Sequence, residues 1–203
     1  MTLEIKISKR LVPYKLAFKF LKKRVDSLKK QKGKDLLWIL EHPLTFTSGI
    51  RSKKNEILDK KIKIIETNRG GRITLHNPGQ KIVYFVLNLN SKKKDIRNLV
   101  RQIEISIIEF LKLYNVAGYA DKENIGIWVK GKKIAAIGIR VSQWIAYHGC
   151  SVNINNNLEH YKKIVPCGLN NSKITSIAEE SKKKIVDIDT NLQKIFIKNL
   201  KNI

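Results

Sequence analysis

Residues 96–141 constrain the fold more than any other stretch. Ile96, Leu99, Val100, Ile103, Ile107, Phe110, Leu111 and Tyr114 recur at steps of three and four, which is one apolar face of a helix. The rhythm then changes: 125–129 and 133–141 are β-rich runs flanking Lys130-Gly131-Lys132, the pattern of a hairpin. A long helix followed by a hairpin does not fit strict βαβ alternation. It predicts an α+β domain whose mixed, largely antiparallel sheet is flanked by helices.

The other segments fit that class. Pro13 suits the first turn of a helix carrying Ala17, Leu21, Val25 and Leu28, with Gly33 as its stop. Residues 36–40 read as a buried strand closed by Glu41-His42-Pro43, and 62–66 and 81–90 as further strands. Leu158, Tyr161, Ile164 and Val165 suggest a short helix capped from the 155–157 Asn cluster and ended by Pro166-Cys167-Gly168. Residues 185–203 read as a strand or turn followed by a terminal helix. No repeat or linker interrupts the 203 residues, so 1–203 are expected to form a single domain.

Charge narrows the partners less than its size suggests. The chain carries 41 Lys and Arg against 17 Asp and Glu, a net charge of +24. That invites a nucleic-acid reading. Yet 33 of the basic residues are Lys, beside 30 Ile and 17 Asn, which are the residues of A/T-rich codons. The Lys runs at 22–23, 92–94 and 182–184 are scattered and not interleaved with aromatics as a single-strand platform would be. No nucleic acid is therefore expected; a positive field that speeds encounter with acidic proteins is. The polar start MTLEIKISKR, the lack of any apolar run of about 20 residues, and only two Cys predict a cytoplasmic chain with free thiols and no membrane anchor.

Three places carry candidate chemistry. In 69–80 (RGGRITLHNPGQ), paired glycines allow backbone to approach a ligand, and Pro78-Gly79 fits the centre of a type II turn. Thr74 and His76, two apart on a strand, point the same way. Lys132 and Lys133 open a strand that is small or apolar on both faces; period two sends them to opposite sides, and whichever leans inward needs an anionic partner or loses its proton more readily. Cys167, between Pro166 and Gly168, has a stiffened approach and a bare N–H beside it for an oxyanion. Cys150 after His148-Gly149 is the rival thiol. No Cys has ligand neighbours at zinc spacing, and no phosphate-binding glycine signature is present, so neither metal nor cofactor is expected.

Together these places resemble the lipoyl(octanoyl) transferase family. The matching segments, in family order, are EHPLTFTSG (41–49), RGGRITLHNPGQ (69–80), GKKIAAIGIRV (131–141), HGCSVN (148–153) and VPCGL (165–169) followed by ITSI (174–177). Two departures stand out: Asn77 replaces the glycine usual before Pro-Gly-Gln, and Cys150 occupies a position usually Leu or Phe.

The resemblance implies the fold of biotin and lipoate protein ligases. It implies transfer of octanoyl from octanoyl-acyl carrier protein to a lysine of lipoyl domains, those of 2-oxoacid dehydrogenases and of the glycine cleavage H protein. It maps the thioester nucleophile onto Cys167 and the residue that activates it onto Lys133. It maps acyl binding onto Arg69, Gly70, Gly71, Arg72, Ile73, Thr74, Leu75 and His76, onto Ala136, Ile137 and Gly138, and onto Gly149, Cys150 and Ser151. An ammonium beside a thiol of ordinary pKa, about 8.5, favours the nucleophilic thiolate. Exchange between thioesters needs no ATP. An ATP-dependent lipoate or biotin ligase of the same fold would need no such cysteine; an amidotransferase between lipoyl domains would keep it and change only the donor.

Overall fold

The computed structural model describes residues 3–121, 123–166 and 173–203. Strand β1 (Leu3–Ile7) crosses through helix α1 (Tyr14–Lys29) to β2 (Asp35–Leu40), parallel to β1. A small strand β3 (Thr45–Ser48) pairs with β4 (Ile64–Glu66) and β5 (Thr74–His76) in a separate three-stranded sheet ordered β4-β3-β5. The chain returns as β6 (Gln80–Asn88), runs through α2 (Ile96–Lys112), and forms β7 (Tyr119–Ala120), β8 (Ile127–Val129), β9 (Lys132–Ser142) and β10 (Ile145–Asn153). A 3₁₀ turn (Leu158–Lys163), the one-turn α3 (Ile177–Glu180) and α4 (Ile188–Asn199) complete it. The main sheet has the order β1-β2-β6-β10-β9-β8-β7, antiparallel except for β1–β2.

Alternation along each strand explains why this sheet is covered on both sides. Leu36, Trp38 and Leu40 of β2, with Ile82, Tyr84 and Val86 of β6, meet α1 through Ala17, Leu21, Val25 and Leu28. Leu37, Ile39, Val83, Phe85 and Leu87 point the other way, onto α2 and α4. Of the apolar positions read in α2, Leu99, Ile103, Ile107, Phe110 and Leu111 are fully buried, whereas Ile96, in the first turn, stands outside. Helix α1 ends at Lys29, before Gly33, which turns the chain at φ +96°.

The hairpin is where the sequence placed it. Lys130 and Gly131 carry φ of +49° and +76°, both left-handed, as a two-residue I′ turn requires. The second hairpin, β9 to β10, turns on Gln143 and Trp144 at +50° and +60°, so no glycine marks it. Pro78-Gly79 is a type II turn, with Gly79 at φ +85° and the Gln80 N–H donating to the Asn77 carbonyl at 3.1 Å. Glu41 clamps that turn: it accepts from the Gly79 N–H at 2.7 Å and pairs with Lys81, which also pairs with Asp189 of α4. The unusual Asn77 is buried and donates to the Asn157 carbonyl at 2.8 Å, tying the turn to the 3₁₀ segment.

Candidate active site

A cavity of about 460 Å³ lies between the main sheet and the small one. Strand β5 lines it with Thr74 and His76, as the two-residue spacing required. Arg69, Gly70, Gly71 and Arg72 form its lip, and Ala136, Ile137, Gly138, Gly149, Cys150 and Ser151 come from the facing pair β9–β10. Ile73 and Leu75 do not line it. The same alternation turns them away, into a buried cluster with Phe46, Tyr161, Ile164 and Ile174.

The glycines here serve backbone approach. The Gly70 N–H donates to the Ile139 carbonyl at 3.2 Å, and a Cβ on Gly138 would stand 3.2 Å from the Gly70 carbonyl oxygen. A Cβ on Gly149 would stand 1.9 Å from the Val83 carbonyl oxygen, so no side chain fits there. The neighbouring His148 has φ +71°, strained for a non-glycine residue. That distortion breaks the alternation of β10: His148 stacks on Phe18 of α1, while Ala146 and Cys150 pack on the α2 side.

Away from Lys133 the wall carries rings the sequence reading did not assemble, Tyr14, His76, Tyr84 and His148, with His42 packed against the first three. His42 Nδ1 donates to the Val12 carbonyl, leaving Nε2 to accept from the Tyr84 hydroxyl at 2.9 Å. His76 Nδ1 donates to Gln80 Oε1 at 2.8 Å, and its ring stacks on Tyr14 at 5.9 Å. His148 Nε2 donates to Asn68 Oδ1 at 2.8 Å. Burial drives all three imidazoles down, His42 to about 4 and His76 and His148 to about 3, so they are neutral at physiological pH. Burial likewise raises both phenols. Arg69 keeps its charge occupied, with Nη2 donating to the Thr47 carbonyl and hydroxyl, each at 2.9 Å.

At the other end stands Lys133. It is 6% exposed, whereas Lys132 is exposed, so the two adjacent lysines are inequivalent as the strand period requires. Its Nζ donates to the Ile125 carbonyl at 2.8 Å and lies 5.5 Å from the Trp128 ring centroid. Its backbone accepts from the Thr175 N–H at 3.0 Å and bridges Ile174. A second, much smaller cavity is lined by Lys133, Thr74, Ser151, Pro166 and Ile174. Cys167 lies outside the described residues. Cys150 is described: apolar burial pushes its thiol well above the ordinary range, which leaves it protonated and unreactive. Among the described residues no group of His, Cys, Asp and Glu could hold a metal ion, and no helix is long and apolar enough to cross a membrane.

A sheet backed by α2 and α4 on one face, with α1 and a small sheet flanking a cavity on the other, is an architecture shared with known proteins. The family model described as the lipoyl protein ligase A/B catalytic domain matches residues 13–197. The octanoyltransferase of Wolbachia sp. subsp. Brugia malayi is 39% identical over 198 residues, covering 95% of this chain and 97% of that protein. The octanoyltransferase of Anaplasma phagocytophilum is 38% identical over 205 residues, covering 98% and 99%. The chain therefore belongs to the lipoyl protein ligase A/B catalytic domain family, among its octanoyltransferases, and is an acyltransferase. In fold it is similar to a bi-partite lipoate protein ligase from Thermoplasma acidophilum, at TM-score 0.77 and 14% identity over 99% of this chain and 84% of that one. The biotin protein ligase of Aquifex aeolicus matches at TM-score 0.53 and 14% identity, over 100% and 69%. This is the ligase-like fold the sequence resemblance implied.

Proposed function

We propose that residues 1–203 act as one acyltransferase domain in the cytoplasm. It moves octanoyl from octanoyl-acyl carrier protein, through a thioester on Cys167, to one lysine of lipoyl domains, those of 2-oxoacid dehydrogenases and the glycine cleavage H protein. The observation that carries this reading is the buried Lys133 ammonium in the wall of a cavity of about 460 Å³ that is otherwise lined by apolar and neutral groups except for the arginines of its lip and Glu123. That volume lies within the roughly 300–1,000 Å³ of small-molecule sites. Neutral imidazoles let an uncharged tail lie against them without displacing a solvated charge.

The chemistry balances without ATP. The Cys167 thiolate attacks the donor carbonyl; a new C–S bond forms and the carrier's C–S bond breaks. The departing thiolate takes a proton from Lys133. The acceptor amine then attacks the acyl-enzyme, a C–N bond forms, the Cys167 C–S bond breaks, and the neutral Lys133 amine takes the proton released. Lys133 and Cys167 titrate as a pair in this scheme.

Incubating the enzyme with octanoyl-carrier protein and a lipoyl domain, without ATP, tests the reading. The acceptor gains one octanoyl group by mass. Modification only with free octanoate and ATP would instead identify a ligase.

A further inference from the structure

We propose that the turn at residues 124–128 is a clasp that sets the position of the Lys133 ammonium, which makes Gly126 and Trp128 positioning residues for acyl transfer. The proposal deepens the reading above and rests on it in one respect, that Lys133 moves the proton.

The observations converge from both sides of the ammonium. Gly126 has φ +139°, and a Cβ there would stand 2.5 Å from Lys133 Cε, 2.6 Å from the Ala135 carbonyl oxygen and 3.1 Å from Lys133 Nζ. Both the backbone conformation and the space exclude a side chain. With none, the Lys133 stem lies across the turn and Nζ reaches the Ile125 carbonyl at 2.8 Å. Trp128 closes the turn from the other end. Its indole N–H donates to the Asn124 carbonyl at 2.9 Å, and its ring faces Nζ. The turn is anchored in addition by Asp121, whose carboxylate accepts from the Asn124 N–H at 2.7 Å. Among the described residues Nζ forms no ion pair; its hydrogen bond goes to a carbonyl. One carbonyl and one ring face therefore touch the buried cation, with the Asp121 charge acting on it from farther off, and its remaining N–H groups are left for the reaction. Glu123, Asn124 and Ile125 also line the cavity, so the clasp is part of the site's wall.

The test uses the full chain with Gly126→Ala and Trp128→Phe, each alone and combined with Lys133→Met. Trp128→Phe keeps a ring in place and removes only the indole N–H bond, so it remains informative where Gly126→Ala fails to fold. Two quantities are read: kcat and KM for the carrier-bound donor, and the rate at which acetic anhydride labels Lys133 relative to Lys132 in the same molecule, by peptide mass. The clasp predicts that kcat falls about ten- to a hundredfold at nearly constant KM, as small misplacements of a reacting group do. Labelling of Lys133 rises toward that of Lys132. In the Lys133→Met background neither substitution costs anything further. Unchanged Lys133 labelling, or full additivity with Lys133→Met, overturns the proposal. Full activity of Lys133→Met alone would instead sink the proton-transfer role, while the labelling still reads the clasp.

Discussion

Opposite faces of one strand give Lys132 and Lys133 different fates, and a substitution at each reads that difference. If Lys133 activates Cys167 as proposed, Lys133→Ala slows iodoacetamide alkylation of Cys167 at neutral pH by about tenfold or more, because an ammonium beside a thiol favours the thiolate. Lys132→Ala, at an exposed position, leaves the profile unchanged. Equal profiles for both variants would remove Lys133 from the reaction. Gly138 sets the cavity's shape through its neighbour rather than by simple absence. Its Cβ would press on the Gly70 carbonyl oxygen at 3.2 Å, so the branched side chain of Gly138→Val pushes the 69–71 lip into the cavity. Each buried methylene is worth about 0.8 kcal/mol, and overpacking costs about 1–3 kcal/mol, so the variant favours six-carbon over eight-carbon donors. An unchanged chain-length profile would place the tail elsewhere. Thr74 and His76 were legible as cavity residues because period two is local. Gly126 was not, because what it makes room for is a side chain seven positions later.

Among the elements, β10 escaped the sequence reading for a chemical reason. His148, Ser151 and Asn153 interrupt any apolar alternation, so the pattern shows no strand there, yet β10 is a central strand between β6 and β9 and is buried throughout. His148 and Asn153 are satisfied within the protein, while Ser151 lines the cavity. Gln80 Nε2 donates to Asn153 Oδ1 at 2.9 Å and to the Tyr161 hydroxyl at 3.0 Å, and Asn153 Nδ2 donates to the Thr175 carbonyl at 2.9 Å. Continued through His76, this chain of bonds joins the cavity wall to the strand and then to the residues that resume at 173. Asn153→Ala removes one of the two bonds of the buried Gln80 amide and the side-chain donor of the Thr175 carbonyl. It should cost about 1–3 kcal/mol in urea unfolding and lower acyl transfer as well. A variant as stable as the parent would show that the chain of bonds is not under load. By contrast α1, α2 and the first hairpin were legible because their apolar periods and turn residues are strong local signals, and β7, only two residues long, offers none.

For the whole molecule, three buried neutral histidines link stability to pH. Their folded values, about 4 for His42 and about 3 for His76 and His148, lie below the unfolded value of about 6.5. Between these limits the unfolded chain binds protons that the folded one does not, so stability is complete above about pH 6.5 and is lost as pH falls toward 4. Each histidine adds a slope of about 1.4 kcal/mol per pH unit near pH 5. His148→Asn, a residue that tolerates left-handed backbone, removes one proton from that slope. A slope that does not change would mean His148 is not held neutral. The net charge of +24 belongs to this scale too: it speeds encounter with any acidic protein, whereas the charged groups lining the cavity are Lys133, Glu123 and the arginines. The proposed chemistry turns on a covalent acyl-enzyme at Cys167, which the intact mass of the enzyme after incubation with octanoyl-carrier protein alone would reveal. The account predicts one added octanoyl group on the parent and on Cys150→Ala, and none on Cys167→Ser. An adduct that persists in Cys167→Ser, or that disappears only in Cys150→Ala, would contradict it.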